Sequence, residues 1–209
     1  KSAEARGDAV KRNVSGVNYS ELERNGKKIY IGGAVGHLFT LKQDHSSKQQ
    51  LPIFNIKWVP NYEALKKDFT KKYYSVLSSL AKKSSEYTVA TDYDTEGEVI
   101  GLNIIRFICN QKDANRMKFS TLTSKELQDA YDHKSQTLNW SQGIAGETRH
   151  FLDWFYGINL SRALMESIKK AGSFRIMSIG RVQGPTLKLI VSKEREIQAF
   201  KTQKYFQVF

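Results

Sequence analysis

A short apolar strand, followed at once by a run of acids and then by an apolar helix, constrains this chain more than any other feature. The stretch is EYTVATDYDTEGEVIGLNII, residues 86–105, in which Asp92, Asp94 and Glu96 alternate with other residues. EYTVAT predicts a strand, and the pattern over residues 98–110 predicts a mostly buried helix. The acids therefore follow the carboxyl end of a strand, where open α/β sheets place their ligand sites.

Three carboxylates at alternate positions of a turning chain repel one another unless a cation lies among them. Hard oxygen ligands at this spacing suit Mg²⁺, which takes one or two carboxylates, keeps waters and contacts substrate phosphate. Asp92, Asp94 and Glu96 are therefore candidate Mg²⁺ ligands. A solvated acidic turn is the alternative that spacing alone leaves open. A calcium EF-hand loop is rejected, because its last ligand position falls on Asn103, where a bidentate Glu is needed.

The charge balance of the chain favours a polyanionic partner. Among 209 residues, 33 Lys and Arg stand against 21 Asp and Glu, which gives a formal net charge of +12. Nucleic acid is the commonest polyanion, although a generic basic surface stays open as an interpretation. The sequence has neither a G-x-x-x-x-G-K-[ST] nor a G-x-G-x-x-G motif, so nothing in it points to a nucleotide cofactor.

Cysteine content and hydropathy exclude several classes of protein. The single cysteine, Cys109, excludes a disulfide framework and a structural Cys-rich zinc site in this sequence, and it predicts an intracellular setting. No window approaches the roughly 18 apolar residues of a membrane span, and the start shows no signal-peptide pattern. The start, KSAEARGDAVKRN, predicts a charged helix, and the end, KYFQVF, predicts a strand. Both patterns look interrupted, as in a piece of a longer chain.

Strand and helix patterns alternate over residues 27–135, which predicts an α/β fold with a parallel sheet and crossover helices. Residues 27–41 predict a strand followed by a glycine turn, and residues 61–83 predict an amphipathic helix. Residues 116–122 predict another strand. TSKE, residues 123–126, is a capping box that opens the next helix.

The pattern changes to mainly α-helical beyond residue 135. One helical stretch begins near Trp140 and closes at Gly172, and a second begins near Pro185. Residues 136–209 carry 11 Lys and Arg against 5 Asp and Glu, a denser positive charge than in the first part. The sequence therefore predicts a boundary between residues 1–135 and 136–209.

The segment ATDYDTEGEVIG resembles the Toprim signature of type IA DNA topoisomerases, which has the form Asp-x-Asp-x-Glu-Gly-Glu. Other segments resemble that family in the same order: GAVGHLFTL, LPIFNIKWVP, RMKFSTLTSKEL, GETRHFLDWFYGINLSRAL and SIGRVQGPTL. Together they cover about residues 30–195. The resemblance implies a Rossmann-like Toprim domain over residues 1–135, followed by an incomplete helical DNA-binding domain. Tyr93 and Thr95 depart from many bacterial members, which have Pro and Arg there.

The resemblance also implies an activity. Such an enzyme relaxes negatively supercoiled DNA with Mg²⁺ and without ATP, through a 5′-phosphotyrosine formed on single-stranded DNA. None of the ten tyrosines lies in the family's Tyr-x-Arg-Thr context, so the nucleophile is expected elsewhere. Asp92, Asp94 and Glu96 would hold the metal, and Lys1 is the candidate for the family's catalytic lysine. Glu98 is either a helix-capping acid or a catalytic one.

Candidate DNA contacts follow from the same resemblance. They are Arg149, Asp153, Arg162, Arg181, Gln183 and Arg116. An ion pair between Arg149 and Asp153, or a bracing role for Arg162 and Arg116 inside the fold, is the structural alternative. His37 is expected to be a satisfied core histidine. The implied partner is single-stranded DNA at the nucleoid in the cytoplasm, bound by a monomer without a nucleotide cofactor or a membrane.

Three other interpretations stay open at this point. A Toprim primase or nuclease explains the acids but leaves GINLSRAL and SIGRVQGPTL unexplained. A binding module with a degenerate metal site is opposed by the intact acids. Archaeal-type topoisomerase I and the topoisomerase half of reverse gyrase are not separated by this sequence.

Overall fold

The computed structural model describes residues 9–44, 51–65 and 68–208, which form two compact units. Of the described residues, 9–44, 55–65 and 68–150 form one unit, and 51–54 and 151–208 form the other. The strands are β1 (Val10–Val14), β2 (Val17–Arg24), β3 (Lys27–Gly32), β4 (Phe39–Gln43), β5 (Ile56–Pro60), β6 (Thr88–Val89) and β7 (Asn115–Arg116). The α-helices are α1 (Asn61–Ala64), α2 (Thr70–Ala81), α3 (Thr95–Phe107), α4 (Ser124–Asp132), α5 (Trp140–Phe155), α6 (Ser161–Lys170) and α7 (Gln183–Ala199).

Strands β1, β2 and β3 form an antiparallel meander joined by two tight hairpins. Each hairpin has two central residues with positive φ: Ser15 and Gly16 at 53° and 79°, and Asn25 and Gly26 at 52° and 70°. This is the type I′ geometry, whose twist matches that of the paired strands. The charged helix predicted over residues 1–13 is therefore wrong for residues 10–13, because the Ser-Gly turn folds this segment back onto β2. Residues 1–8 of that stretch lie outside the described residues.

Helix α2 covers one face of the meander. Val17 of β2 is buried with Val76 and Leu80 of α2, and three tyrosines pack around them. At Gly32 a Cβ atom would lie 2.7 Å from Leu77, so the absence of a side chain lets the helix approach the strand. The single helix predicted over residues 61–83 is divided in the structure into α1 and α2, with residues 66–67 outside the described part.

The fold class predicted from the sequence, α/β with a parallel sheet, is confirmed. Among the described residues, however, parallel pairing is confined to β6 and β7, whereas β4 and β5 form a separate antiparallel pair. Helix α3 connects the two parallel strands. Its residues Leu102 and Ile105 form a core with Val89, Ala114 and Leu138. The parallel sheet is thus much shorter than the alternation of patterns over residues 27–135 suggests.

The predicted capping box at the start of α4 is confirmed in its first half. The Thr123 hydroxyl accepts a hydrogen bond from the Glu126 N–H. The Glu126 carboxylate does not return to Thr123; it accepts from the N–H groups of Ser120 and Thr121 and from the Thr121 hydroxyl. These bonds lower the pKa of Glu126, and they fix the loop that leads into the helix.

The second unit is helical over most of its length. A π-helical turn, Tyr156–Leu160, joins α5 directly to α6. Gly172 follows α6 with φ +80°, as expected for the left-handed residue that ends a helix. Residues 204–208 contain no strand, so the strand predicted over residues 204–209 is wrong for them; residue 209 lies outside the described part. In the described part of the chain, no helix is both long and apolar enough to cross a membrane.

The second hairpin provides a test of the meander. Gly26→Ala should lower the free energy of unfolding by about 1 kcal/mol, because an L side chain is disfavoured in the left-handed region. Space is not the cause, since a Cβ at Gly26 would meet nothing within 4 Å. Gly33→Ala is the matched control, because Gly33 has equal space and no positive φ. Urea unfolding followed by circular dichroism would measure both; equal effects of the two substitutions would contradict the hairpin geometry.

Candidate functional site

The acidic loop lies between the end of β6 and the start of α3. Asp94 is the N-cap of α3, and its Oδ1 accepts the Gly97 N–H at 2.6 Å. Glu96 falls in the first turn, where the helix dipole favours negative charge. At Gly97 an added Cβ would overlap the carbonyl oxygen of Asp92, so only glycine lets the loop fold against the helix here.

A buried arginine, Arg116, holds this loop in place through hydrogen bonds to its backbone. Arg116, at the end of β7, is 0% exposed, and its Nε donates to Oε1 of Glu98 at 2.7 Å. Its remaining N–H groups donate to the carbonyl oxygens of Thr91 and Met117 at 2.9 and 2.8 Å and to that of Asp92 at 2.8 Å. The sequence leaves two roles open for Arg116, a contact with DNA and bracing inside the fold. The observed hydrogen bonds correspond to bracing. Glu98 is likewise buried and neutralised by Arg116.

Glu96 is surrounded by cationic and imidazole groups. His37 and His150 each direct Nε2 at Oε2 of Glu96, at 3.0 and 3.1 Å, and their ring centroids lie 4.9 Å apart. Nη1 of Arg149 lies 3.4 Å from the other carboxylate oxygen. Burial, and secondly the neighbouring His150, lowers the pKa of His37, although the hydrogen bond to Glu96 opposes this.

Helix α5 reaches Glu96 because two helices pack closely. A Cβ at Gly146 would lie 2.6 Å from the Thr95 carbonyl oxygen, so the missing side chain lets α5 approach the first turn of α3. One turn further along α5 is His150, whose ring also meets the Trp58 ring at 5.6 Å. Trp58 in turn donates its indole N–H to Glu147 at 3.0 Å, which ties β5 to the same helix.

His37 and His150 are the site residues that sequence reasoning missed. His37 was expected to be a satisfied core histidine, yet its side chain is 30% exposed and bonded to an acid of the loop. His150 is adjacent in sequence to the predicted residue Arg149 but was not itself predicted to be a site residue. They lie 59 and 54 residues from Glu96 along the chain, so no local spacing could have revealed the cluster.

The three predicted metal ligands occupy different surroundings. Within residues 9–44, 51–65 and 68–208, the three-residue group with potential ligand atoms all within 4.8 Å is His37, Glu96 and His150; Asp92 and Asp94 do not join it. Both of these aspartates are exposed. Asp94 uses its Oδ1 as the helix cap. Exposed carboxylate oxygens of this kind fit the hard-ligand chemistry of Mg²⁺.

Tyr93 lies between the two aspartates and is 45% exposed. Its ring lies 5.2 Å from Nζ of Lys118, a cation–π contact, and its hydroxyl accepts from Asn139 at 3.2 Å. Lys118 thus places a positive charge beside the acidic loop. The expectation that Tyr93 is not the nucleophile stays a prediction.

The other predicted DNA contacts belong to the second unit. Nε of Arg181 lies 2.6 Å from Oδ1 of Asp153, and this carboxylate raises the pKa of the guanidinium. Gln183 is exposed at the start of α7, and Arg162 is partly buried on α6. Lys1, the candidate catalytic lysine, lies outside the described residues.

Comparison with known proteins gives two family matches and several relatives. Residues 7–122 match the Toprim domain, and residues 137–209 match the DNA topoisomerase family. DNA topoisomerase 1 of Methanocaldococcus jannaschii is 44% identical over 209 residues, covering 100% of this chain and 27% of the relative. DNA topoisomerase 1 of Pyrococcus horikoshii is 47% identical over 205 residues, covering 95% of this chain and 29% of the relative. The chain thus spans less than a third of either relative.

A solved structure is also similar to the chain. It is full-length topoisomerase I from Thermotoga maritima, with a TM-score of 0.58 and 29% sequence identity. The similarity covers 80% of this chain and 26% of that one. The family matches do not test the predicted boundary near residue 135, which stays a prediction.

The buried ion pair provides a test of how the loop is held. Glu98→Ala should lower the free energy of unfolding by about 3–5 kcal/mol, because it leaves the buried charge of Arg116 without its partner. Glu196→Ala removes an exposed partner of Lys193, at 2.9 Å, and should cost less than about 1 kcal/mol. Urea unfolding measures both. Similar losses for the two variants would show that the buried pair does not support the fold.

Proposed function

The chain belongs to the type IA DNA topoisomerase family, and from this premise we propose that it supplies the metal-binding part and a DNA-binding part of such an enzyme. The activity is relaxation of negatively supercoiled DNA by transient cleavage of one strand, with Mg²⁺ and without ATP. The acidic loop braced by Arg116, within the residues that match the Toprim domain, is the observation that carries the proposal.

Toprim topoisomerases use a divalent metal, and the proposed metal here is Mg²⁺. Asp92, Asp94 and Glu96 would hold it, with the two exposed aspartates offering oxygen ligands. When bound, the metal would neutralise and position a DNA phosphate, which is worth several kcal/mol in such sites. Arg116 keeps the loop backbone in place through the Asp92 carbonyl, so its proposed role is indirect.

DNA phosphates are the proposed partners of Arg149, Arg162 and Arg181, because phosphate contacts by such side chains fix a protein on its nucleic acid. The positive charge of residues 136–209 supports this placement. Asp153 would orient the Arg181 guanidinium through their ion pair, and Gln183 would add a polar contact at the start of α7. The proposed substrate is a single-stranded segment, bound by a monomer without nucleotide at the nucleoid in the cytoplasm.

The nucleophilic tyrosine is proposed to be none of the ten in this sequence, since none has the family's context. Lys1 remains the proposed catalytic lysine. A protein with these parts alone can hold metal and DNA but cannot form the covalent intermediate.

Metal binding by the loop can be measured directly. Asp92→Ala combined with Asp94→Ala should abolish saturable Mg²⁺ binding in calorimetric titration of the 209-residue chain, because it removes two of three oxygen donors. Glu194→Ala combined with Glu196→Ala is the matched control, since it removes two exposed acids at the same spacing on α7. Unchanged binding in the first variant would exclude the loop as the Mg²⁺ site.

Relaxation of plasmid DNA tests the activity. The natural gene product that carries this sequence should relax negatively supercoiled plasmid stepwise with Mg²⁺ and without ATP, as resolved on a gel. The 209-residue chain by itself should leave the plasmid supercoiled, because it lacks the proposed nucleophile. Nicked plasmid alone would favour a Toprim nuclease, and ATP-dependent positive supercoiling would favour the reverse gyrase subtype. Robust relaxation by the 209-residue chain alone would contradict the proposal that none of its ten tyrosines is the nucleophile.

A further inference from the structure

The two imidazoles beside Glu96 have no part in the proposed magnesium chemistry. Both use Nε2, and both point at the same oxygen, Oε2, at 3.0 and 3.1 Å. The other oxygen of this carboxylate faces Arg149 at 3.4 Å. His37 and His150 therefore converge on one point from two elements that are far apart in sequence, rather than making separate contacts with the carboxylate.

We propose that His37, Glu96 and His150 form a binding site for a borderline transition metal ion of the Zn²⁺ or Co²⁺ type. Two imidazole nitrogens and one carboxylate oxygen make a donor set that such ions accept, whereas Mg²⁺ prefers oxygen ligands throughout. The site differs in donor chemistry from the loop aspartates. It shares with them the carboxylate of Glu96.

The distances suit this type of ion. Tetrahedral zinc, with bonds of about 2.0–2.2 Å to nitrogen and oxygen, needs donor atoms about 3.3 Å apart. The two nitrogen-to-oxygen distances are 3.0 and 3.1 Å, and all three potential ligand atoms lie within 4.8 Å of one another. Small side-chain movements would therefore complete the three protein bonds.

The surroundings hold the ligands in place and leave room for a fourth. The His37 carbonyl accepts from Nδ2 of Asn61 at 2.7 Å, which fixes the loop between β3 and β4. The close contact at Gly146 fixes α5, which carries His150. The three side chains are 29–37% exposed, so a water can take the remaining position. A site with three protein ligands and one open position can also exchange its ion with solvent.

Sharing of Glu96 has a further consequence, which rests on the proposed function. A transition metal held by the two histidines would withdraw this carboxylate from the magnesium set. The two ions would then compete, and micromolar zinc would act as an inhibitor of the magnesium-dependent step rather than as its cofactor.

Cobalt is the probe for the test, because its visible d–d absorption reports nitrogen and oxygen ligation directly. Titration of the 209-residue chain with Co²⁺ should give a saturable band at one equivalent, and Zn²⁺ should abolish it. His37→Ala and His150→Ala should each raise the Co²⁺ Kd by more than the roughly 10–100-fold lost when only a supporting group is removed. Thermal unfolding of each variant in EDTA establishes that it is folded.

His133→Ala is the matched control. His133 also pairs with a carboxylate, since its Nδ1 lies 3.1 Å from Asp129, but it is exposed and belongs to no three-residue ligand group among the described residues. This variant should bind Co²⁺ like the parent chain. A parent chain without a saturable band, or an equal band in the His37 and His150 variants, would overturn the site.

The aspartates separate this inference from the proposed function. The chain with Asp92→Ala and Asp94→Ala should keep its Co²⁺ band even when it no longer binds Mg²⁺. Loss of the band in that variant would place the ion on the acidic loop and overturn the histidine site. If the parent chain shows the Co²⁺ band but binds no Mg²⁺, the histidine site is supported and the magnesium proposal is overturned.

Discussion

The fully buried ion pair between Arg116 and Glu98 is the interaction on which the arrangement of the acidic loop depends. A charge out of water is tolerated only when it is paired and its remaining donors are hydrogen-bonded. Arg116 meets both conditions by binding Glu98 and carbonyl oxygens at the end of β6 and in the loop itself. Burial of the Arg116 charge costs free energy, but the same guanidinium also holds the backbone that carries Asp92 and Asp94.

The three acids of the loop, within residues 92–96, lie in two different environments. Asp92 and Asp94 face solvent, whereas Glu96 is enclosed by two imidazoles and a guanidinium. The helix dipole favours the negative charge of Asp94, at the N-cap of α3, and that of Glu96, in its first turn. The two aspartates are thus exposed to solvent, whereas Glu96 is part of a cluster drawn from three separate segments.

Much of the fold followed from local sequence. The helix after the acids, the Thr123 cap and the end of a helix at Gly172 are each set by residues close in the chain, and the structure confirms them. The meander could have been found from Asn25-Gly26, a strong hairpin signal. The extent of the parallel sheet and the histidine cluster could not, because both depend on contacts between distant segments. His37 shows the limit well: its neighbours in sequence are apolar, and its bonding partner lies 59 residues away.

The π-helical turn at Tyr156–Leu160 carries an implication for how this part of the chain can vary. A turn of that kind accommodates one residue more than an α-helical turn, and each residue of an α-helix rotates the side chains by about 100°. Loss of a single residue there would convert α5 and α6 into one regular helix and turn Arg162 by about that angle relative to Asp153. Insertions and deletions at this turn would thus rotate the charged side chains of α6 about the helix axis relative to those of α5. The hydrogen bonding within both helices would be preserved.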